Sequence, residues 1–423
     1  MMLNQLNNVY KTYINKRMLI LLALGFTSGF PFLLVFGTLS FWLKDLDISY
    51  TLIGTFSLVK IPYSLKWAWS PIIDNVKIPF LYKLGRRRSW AVFIQILLFC
   101  ALIAMALTKP EIHTLYMAMF ALLASFLSAS QDIVLDAFRV ESFENEPEKQ
   151  ASGVAIYVLG YRLGLIFSGA GAIYLASVID WSEVYMIMAC GLLVGLTAIL
   201  LAKEPQKYIY KKYKFKFKDS VLFFKNSIIN PFKDFIKHQH WYWILFFIFT
   251  YRLSNAYFAP MSFPFYVDLG FTKAEIASVI KVYGMVAAIL GGLTGGLIIM
   301  KIGLKKSLMF FGLAQCLTTF LFALQAEYGH NMPLFIIIIT LENFSSGLAT
   351  TALVAYISSL CNKLYTATQY ALLSSVISLS RDIFASTSGM LAQMVSWQVF
   401  FIICGFLSLP SLFVVWFCFK TDK

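Results

Sequence analysis

The sequence predicts an all-α integral membrane protein with twelve transmembrane helices, set out as two six-helix halves related by a parallel pseudo-repeat. Three observations carry this expectation. The 423 residues are 59% hydrophobic and only 13% charged, with a mean hydropathy of +0.73. That is too little charge to cover the surface of a soluble chain of this length. Twelve apolar stretches reach about 20 residues, the length that crosses a hydrocarbon core. One long polar interval, 203–240, leaves six of these stretches on either side.

The expected spans cover about 18–43, 50–73, 90–108, 114–138, 148–176, 182–202, 241–266, 274–299, 307–325, 333–357, 365–393 and 398–419. Each has to be a helix, because lipid offers no partner to an unpaired backbone group. The first run, Met18 to Leu43, is too long for the apolar core of a signal peptide and lacks a small-residue cleavage site, so it reads as a retained span. Sidedness follows from the basic residues. Of the 35 Lys and Arg residues, only Lys44, Lys109 and Lys273 fall in expected outer loops. The "RRR" at 86–88, the linker lysines and "KIGLKKS" (301–307) gather on the opposite side. This asymmetry predicts that both termini are cytoplasmic. It also accounts for the net charge of +14 without nucleic acid. The expected order is a cytoplasmic N-terminus (1–17), a first six-helix half (18–202), a basic cytoplasmic linker (203–240) and a second six-helix half (241–423).

An internal echo relates the halves. "QASGVAIYVLGYR" (150–162) in span 5 and "QYALLSSVISLSR" (369–381) in span 11 both run from Gln to Arg over the same length. "LGRRRS" after span 2 matches "KIGLKKS" after span 8. Six plus six spans with a parallel repeat is the pattern of the major facilitator fold, a secondary-transporter architecture that works by alternating access.

Charge inside the spans points to a site. Lys60 and Lys66 fall in span 2, Asp132 and Asp136 in span 4, Arg162 in span 5, Arg252 in span 7, Lys281 in span 8, Glu342 in span 10, and Arg381 with Asp382 in span 11. The interiors of spans 3, 6, 9 and 12, which this fold turns toward lipid, carry none. A charge at the bilayer centre costs at least roughly 2.5–3.5 kcal/mol, so each must face a partner or water. At about 1.5 Å per residue, Lys60, Arg162, Arg252, Glu342 and Arg381 fall near mid-membrane. This mostly cationic set suits an anionic substrate, with Arg162, Arg252 and Arg381 as binding candidates and Lys60 as an alternate. Structural pairing, such as Arg381 with a neighbouring acid, is the competing reading.

"SQDIVLDAFR" (130–139) brings two carboxylates into span 4. Asp132 and Asp136, four apart, share a helix face. Asp136 and Arg139 lie near the cytoplasmic surface, and Asp136 reads as a latch to the basic loop of Arg86, Arg87 and Arg88. Asp74, the acid at the end of span 2, and Arg139 belong to the same expected gate. Asp132 is deeper and desolvated, which suits reversible protonation and makes it the first coupling candidate, with Glu342 second. Gln131, Tyr63, Tyr161, Tyr251, Asn255 and Asn343 could line a polar site, although such residues within spans more often serve packing. Gly160 and Gly164, with "LGGLTGGL" (290–297), are expected to bring spans 5 and 8 into close contact. In the linker, "YKKYKFKFKD" and the face of Phe232, Phe235 and Ile236 predict an interfacial helix on anionic lipid.

Catalytic signatures are missing. The chain has no nucleophile elbow, no HExxH, no phosphate loop and no soluble domain large enough for an active site, so an enzyme or sensor is the weakest alternative. Its six cysteines have no metal-ligand spacing, and His113, His238, His240 and His330 lie in loops or at span edges. No metal and no cofactor are implied.

The motifs "LGFTSGFPFLL" (24–34), "YSLKWAWSPIID" (63–74), "LGRRRSW" (84–90) and "SQDIVLDAFR" resemble those of the AmpG muropeptide permeases. The resemblance covers most of the chain and is most specific in the first half. It implies proton-driven import of anhydro-muropeptides, disaccharide-peptide fragments of the cell wall, across a bacterial inner membrane by a monomer. Such cargo carries carboxylates. Between Asp74 and the arginines stands "NVKIPFLYKL", an insertion that the AmpG-like proteins share. In the second half Met300 occupies the position where an acid is expected, and "TTALVAYIS" stands where a copy of "SQDIVLDAF" is expected. The acetyl-coenzyme A transporters look similar around "SLK", "GRR" and "SQD", which makes another bulky anion the alternative cargo.

Overall fold

Apolar runs that must satisfy their own backbone become helices, and among the described residues no strand forms. The computed structural model describes residues 15–48, 56–143, 146–205, 229–362 and 364–418. Most of the expected cytoplasmic N-terminus, the "YKKYKFKFKD" segment and the C-terminal lysines lie outside them. The helices are α1 (Lys16–Val35), α2 (Gly37–Asp45), α3 (Ile61–Leu65), α4 (Ser70–Asn75), α5 (Arg86–Leu107), α6 (Thr114–Ser142), α7 (Pro147–Ile166), α8 (Ala172–Ala176), α9 (Trp181–Gly191) and α10 (Leu193–Leu201). After α11 (229–236) come α12 (Trp241–Thr250), α13 (Leu253–Phe258), α14 (Ser262–Asp268), α15 (Lys273–Ser278) and α16 (Met285–Ile302). The last are α17 (Leu304–Tyr328), α18 (Met332–Leu360), α19 (Thr366–Met394), α20 (Trp397–Phe406) and α21 (Leu409–Cys418).

Among the described residues, nine helical segments are long and apolar enough to cross a bilayer. The other three expected spans are helical but interrupted or polar. The second alternates 3₁₀ and α turns around Pro62 and Pro71, whose missing N–H groups break the ladder. The seventh breaks at Arg252, with φ −111° and ψ 18°, and turns 3₁₀ again around Pro260. The eleventh, α19, is continuous but rich in Ser and Thr.

The chain divides into two packed units. One takes the described residues within 1–146, 156–233 and 361–372; the other takes those within 147–155, 234–360 and 373–423. In the first unit α1 and α7 meet backbone to backbone. A Cβ built on Gly25 would lie 2.1 Å from the Tyr157 carbonyl oxygen, and one on Gly160 would lie 2.0 Å from that of Leu22. In the second unit, Gly291 of α16 stands in the same way against Phe344 of α18 at 2.1 Å, and Gly347 against Ala288 at 2.4 Å. The glycine faces of spans 5 and 8 are occupied by α1 and α18, and the two expected partners meet instead at Ser152 on α7, which donates to Met300 Sδ on α16 at 2.8 Å within the second unit. Small residues let backbones approach closely, but sequence does not say whose backbone.

The pseudo-repeat has structural counterparts. Gly85 and Gly303 both take a positive φ, +108° and +82°, directly before α5 and α17. Only glycine adopts that turn without strain. Each unit also pins the end of its first span to the start of its last. Trp181 Nε1 donates to Asp45 at 2.9 Å, and Trp397 Nε1 donates to Asp268 at 3.0 Å. In α11, Phe235 is buried and Ile236 is half-exposed, so Phe235 packs in protein instead of facing lipid.

Candidate functional site

The polar residues of α6 line one side of a long helix in the first unit. Ser28 on α1 donates to Asp132 Oδ1 at 2.5 Å, and Gln131 Nε2 donates to the Thr27 carbonyl at 2.7 Å. The broken second span binds the same helix. Tyr63 donates to Ser128 at 2.6 Å and Trp69 Nε1 to Ser130 at 2.9 Å. Lys66, between them in sequence, is buried, and its charge acts on Asp132. Lys60 is exposed, with its ammonium 5.4 Å from the Phe36 ring centroid, where it meets the negative face of the ring. Tyr161 and Arg162 are half-buried on α7.

A denser network closes the far end of α6. Arg87 donates to Asp74 at 2.7 Å and to Glu141 at 2.6 Å, while Arg86 donates to Glu141 at 2.7 Å. All four side chains are buried. Asp74 Oδ2 also accepts from the Thr368 N–H at 2.8 Å and its hydroxyl at 2.7 Å, at the first turn of α19. Arg88 instead donates to the last carbonyls of α10, Ile199 at 2.9 Å and Leu200 at 2.7 Å. The N-terminus of α5 is capped by Glu204, which accepts from the Arg87 N–H at 2.8 Å and the Arg88 N–H at 3.1 Å. Burial pushes the Glu204 carboxyl above its ordinary range, against the pull of those two donors.

One part of the expected latch is corrected: Asp74 does meet the basic loop, but Asp136 does not. Asp136 meets Arg139 at 3.3 Å, and the basic loop takes Asp74 and Glu141 instead. Sequence reasoning missed Glu141 because the expected span ends at 138, whereas α6 runs on to Ser142 and carries Glu141 with it. Arg139 is fully buried, with the Tyr157 and Tyr370 rings 5.3 and 5.2 Å from its guanidinium.

The second unit holds a separate polar group. Arg252, at the break between α12 and α13, donates to Ser346 Oγ at 2.8 Å and to Thr350 Oγ1. Glu342 Oε1 accepts from Asn255 at 3.1 Å and from Gln315 at 3.5 Å. The Arg252 and Glu342 charges act on each other. Tyr251 is buried and donates to the Leu308 carbonyl at 3.0 Å, a packing role. Asn343 donates to the Ile339 carbonyl of its own helix at 2.9 Å. Arg381 pairs with Asp382 at 3.1 Å, both more than half exposed, as the competing pairing anticipated.

Comparison with known proteins gives the family and the fold. The family described as "Acetyl-coenzyme A transporter 1" matches residues 17–113, and the "Major Facilitator Superfamily" matches residues 244–423. The chain is 38% identical over 417 residues to "Putative transporter AmpG 4" of Rickettsia felis, covering 98% of this chain and 99% of that one. It is 34% identical over 410 residues to the "Anhydromuropeptide permease" of Escherichia coli K12, covering 96% of this chain and 80% of the relative. The chain belongs to the AmpG-like permease family. Its fold is that of the major facilitator superfamily. The xylose symporter XylE superposes with a TM-score of 0.71 at 11% identity, covering 98% of this chain and 96% of that one. The human organic anion transporter MFSD10 superposes with a TM-score of 0.64 at 14% identity, covering 96% and 99%. As an AmpG-like permease of this superfamily, the chain is a multi-pass membrane transporter.

Proposed function

We propose that this AmpG-like permease imports anhydro-muropeptides with protons across a bacterial inner membrane, as a monomer with both termini cytoplasmic. The observation that carries the cargo is the 34% identity to the E. coli anhydromuropeptide permease across 96% of this chain. Asp132, in a polar setting on α6 with Ser28 at 2.5 Å, supports proton coupling there, and Glu342 is the counterpart in the second unit. Arg162, Arg252, Arg381 and Lys60 remain the proposed contacts for the cargo's carboxylates, and Gln131, Tyr161 and Asn255 the proposed polar contacts. The two halves alternate access, and the pairs Arg87–Asp74 and Asp74–Thr368 act as the inner latch.

The test is uptake of labelled anhydro-muropeptide into cells lacking their own permease, with and without a protonophore. Protonophore-sensitive uptake is expected. No uptake, with the protein present in the membrane, discards the cargo. The match of residues 17–113 to the acetyl-coenzyme A transporter family favours a second reading, in which the cargo is acetyl-coenzyme A. The same cells test it directly.

A further inference from the structure

Lys66 stands out among the charges of the first unit. It is 8% exposed, and among the described residues its side chain has no ion pair and no hydrogen bond. A largely buried lysine whose ammonium has no fixed acceptor is unusual, because structural lysines at such depth are held by pairing. Its place is nevertheless closely set. The Tyr63–Ser128 and Trp69–Ser130 bonds hold its stretch of helix against α6 on both sides, and α1 holds Asp132 from the other flank through Ser28. Asp132 is also within the electrostatic reach of Lys66, of Asp136 on its own helix, of Tyr63, of Tyr157 on α7 and of Tyr370 on α19; Arg139 acts on Asp136. Lys66 is the cation in this set that no carboxylate holds at contact distance.

We propose that Lys66 is the oxyanion-recognition residue of the first unit, and that a carboxylate or phosphate of the cargo takes up the charge that otherwise acts on Asp132. This deepens the proton-coupled import proposed above and rests on it. When the cargo oxyanion takes the ammonium, Asp132 loses its neutralising charge and one carboxylate oxygen binds a proton from the outer aqueous phase. When the cargo leaves inward, the Lys66 charge acts on Asp132 again and that O–H bond breaks, releasing the proton to the cytoplasm. One negative charge and one proton enter together, so the charge of the site is conserved through the cycle. Substrate and proton are thereby coupled through one lysine without touching each other.

The experiment is infrared titration of the full chain in lipid nanodiscs, following the protonated-carboxyl band that Asp132→Asn removes. In the unsubstituted protein near neutral pH, anhydro-muropeptide or acetyl-coenzyme A is expected to raise this band. In Lys66→Gln the band is expected without cargo, to persist to higher pH, and to be insensitive to cargo. Lys66→Arg, which keeps the charge, is expected to restore the response. The exchange is overturned if neither anion moves the band in the unsubstituted protein, or if Lys66→Gln titrates and responds as the unsubstituted protein does. The first arm needs no variant at Lys66, so a misfolded Lys66→Gln does not rescue the idea. A response to acetyl-coenzyme A alone leaves the exchange standing and removes the muropeptide reading. A response to muropeptide supports both.

Discussion

Glu141 holds two guanidinium groups at once, and it is the side chain on which the buried charge network turns. Arg86, Arg87 and Asp74 are all buried around it, so removing its charge leaves one carboxylate against two arginines. Breaking a buried pair in this way typically costs about 3–5 kcal/mol, because the remaining charge has no water to return to. Glu141→Gln is therefore expected to lower the unfolding temperature in detergent sharply. Arg88→Gln, which loses only contacts to helix-end carbonyls, should lower it less. Equal midpoints for the two variants would remove Glu141 from the centre of the network. Glu204 makes a pH prediction. Its carboxyl sits above the ordinary 4.5 when folded, so the folded chain binds that proton more readily than the unfolded chain. Stability from this group is thus highest at acid pH and is lost as pH rises from the ordinary value through the folded one. Glu204→Gln retains an oxygen for the Arg87 N–H and cannot ionise. Its unfolding midpoint should fall less than that of the parent between acid and neutral pH. Parallel curves would mean that Glu204 contributes nothing to the pH dependence.

At the scale of helices, close packing of backbones divides the glycines into two kinds. A methyl group on Gly160 would collide with backbone at 2.0 Å, and backbone cannot swing aside as a side chain can. One on Gly171, in the π-helical turn Phe167–Gly171, would meet its nearest neighbour at an ordinary 3.8 Å. Gly160→Ala is expected to separate α1 from α7 and abolish a monodisperse gel-filtration peak. Gly171→Ala should leave that peak unchanged. A folded, transport-competent Gly160→Ala would show that α1 and α7 do not approach as described. These contacts also show what the sequence can and cannot reveal. The spans are legible because hydrocarbon thickness demands a run of apolar residues, and the matched loops are legible because Gly85 and Gly303 meet the same positive-φ requirement. Polar residues inside spans are legible as unusual: Asp132 can be picked out from composition alone. Which ones meet is not legible. Helix rotation decides that Lys66 lies near Asp132, that Asp136 turns to Arg139, and that Gly160 faces α1. An error of a few residues in a helix end hides Glu141 altogether. The same limit explains Phe235, whose place on the apolar face of a short helix fits lipid and protein equally well.

For the whole molecule, the proposed alternating access and cytoplasmic termini require that some contact at the inner end form and break once per cycle. Asp74 is suited to this role because it has two different bonds to lose. It is paired with Arg87 inside the network of α4, α5 and α6, and it also caps the first turn of α19 through the Thr368 N–H and hydroxyl. The charge pair can persist while the cap releases, so opening costs two charge-assisted hydrogen bonds, about 1.5–3 kcal/mol each, without leaving a buried charge unpaired. A latch of that strength opens at a lower cost than the Arg87 pair, whose loss leaves a buried charge uncompensated. Thr368→Val, which removes one of the two donors and keeps the size, is expected to weaken the closed state and raise access of a thiol reagent to a cysteine placed beside the cap. Joining the two sides tests the requirement more directly. In a chain whose six native cysteines are replaced, cysteines at 74 and 368 should form a bond under mild oxidation and stop uptake. Dithiothreitol should restore whatever uptake the reduced double variant has, and neither single variant should respond. If the oxidised double variant carries labelled cargo at the rate of its reduced form, Asp74 and Thr368 need not part during transport. The latch would then be a static brace, and the moving contact would have to be sought elsewhere along α6.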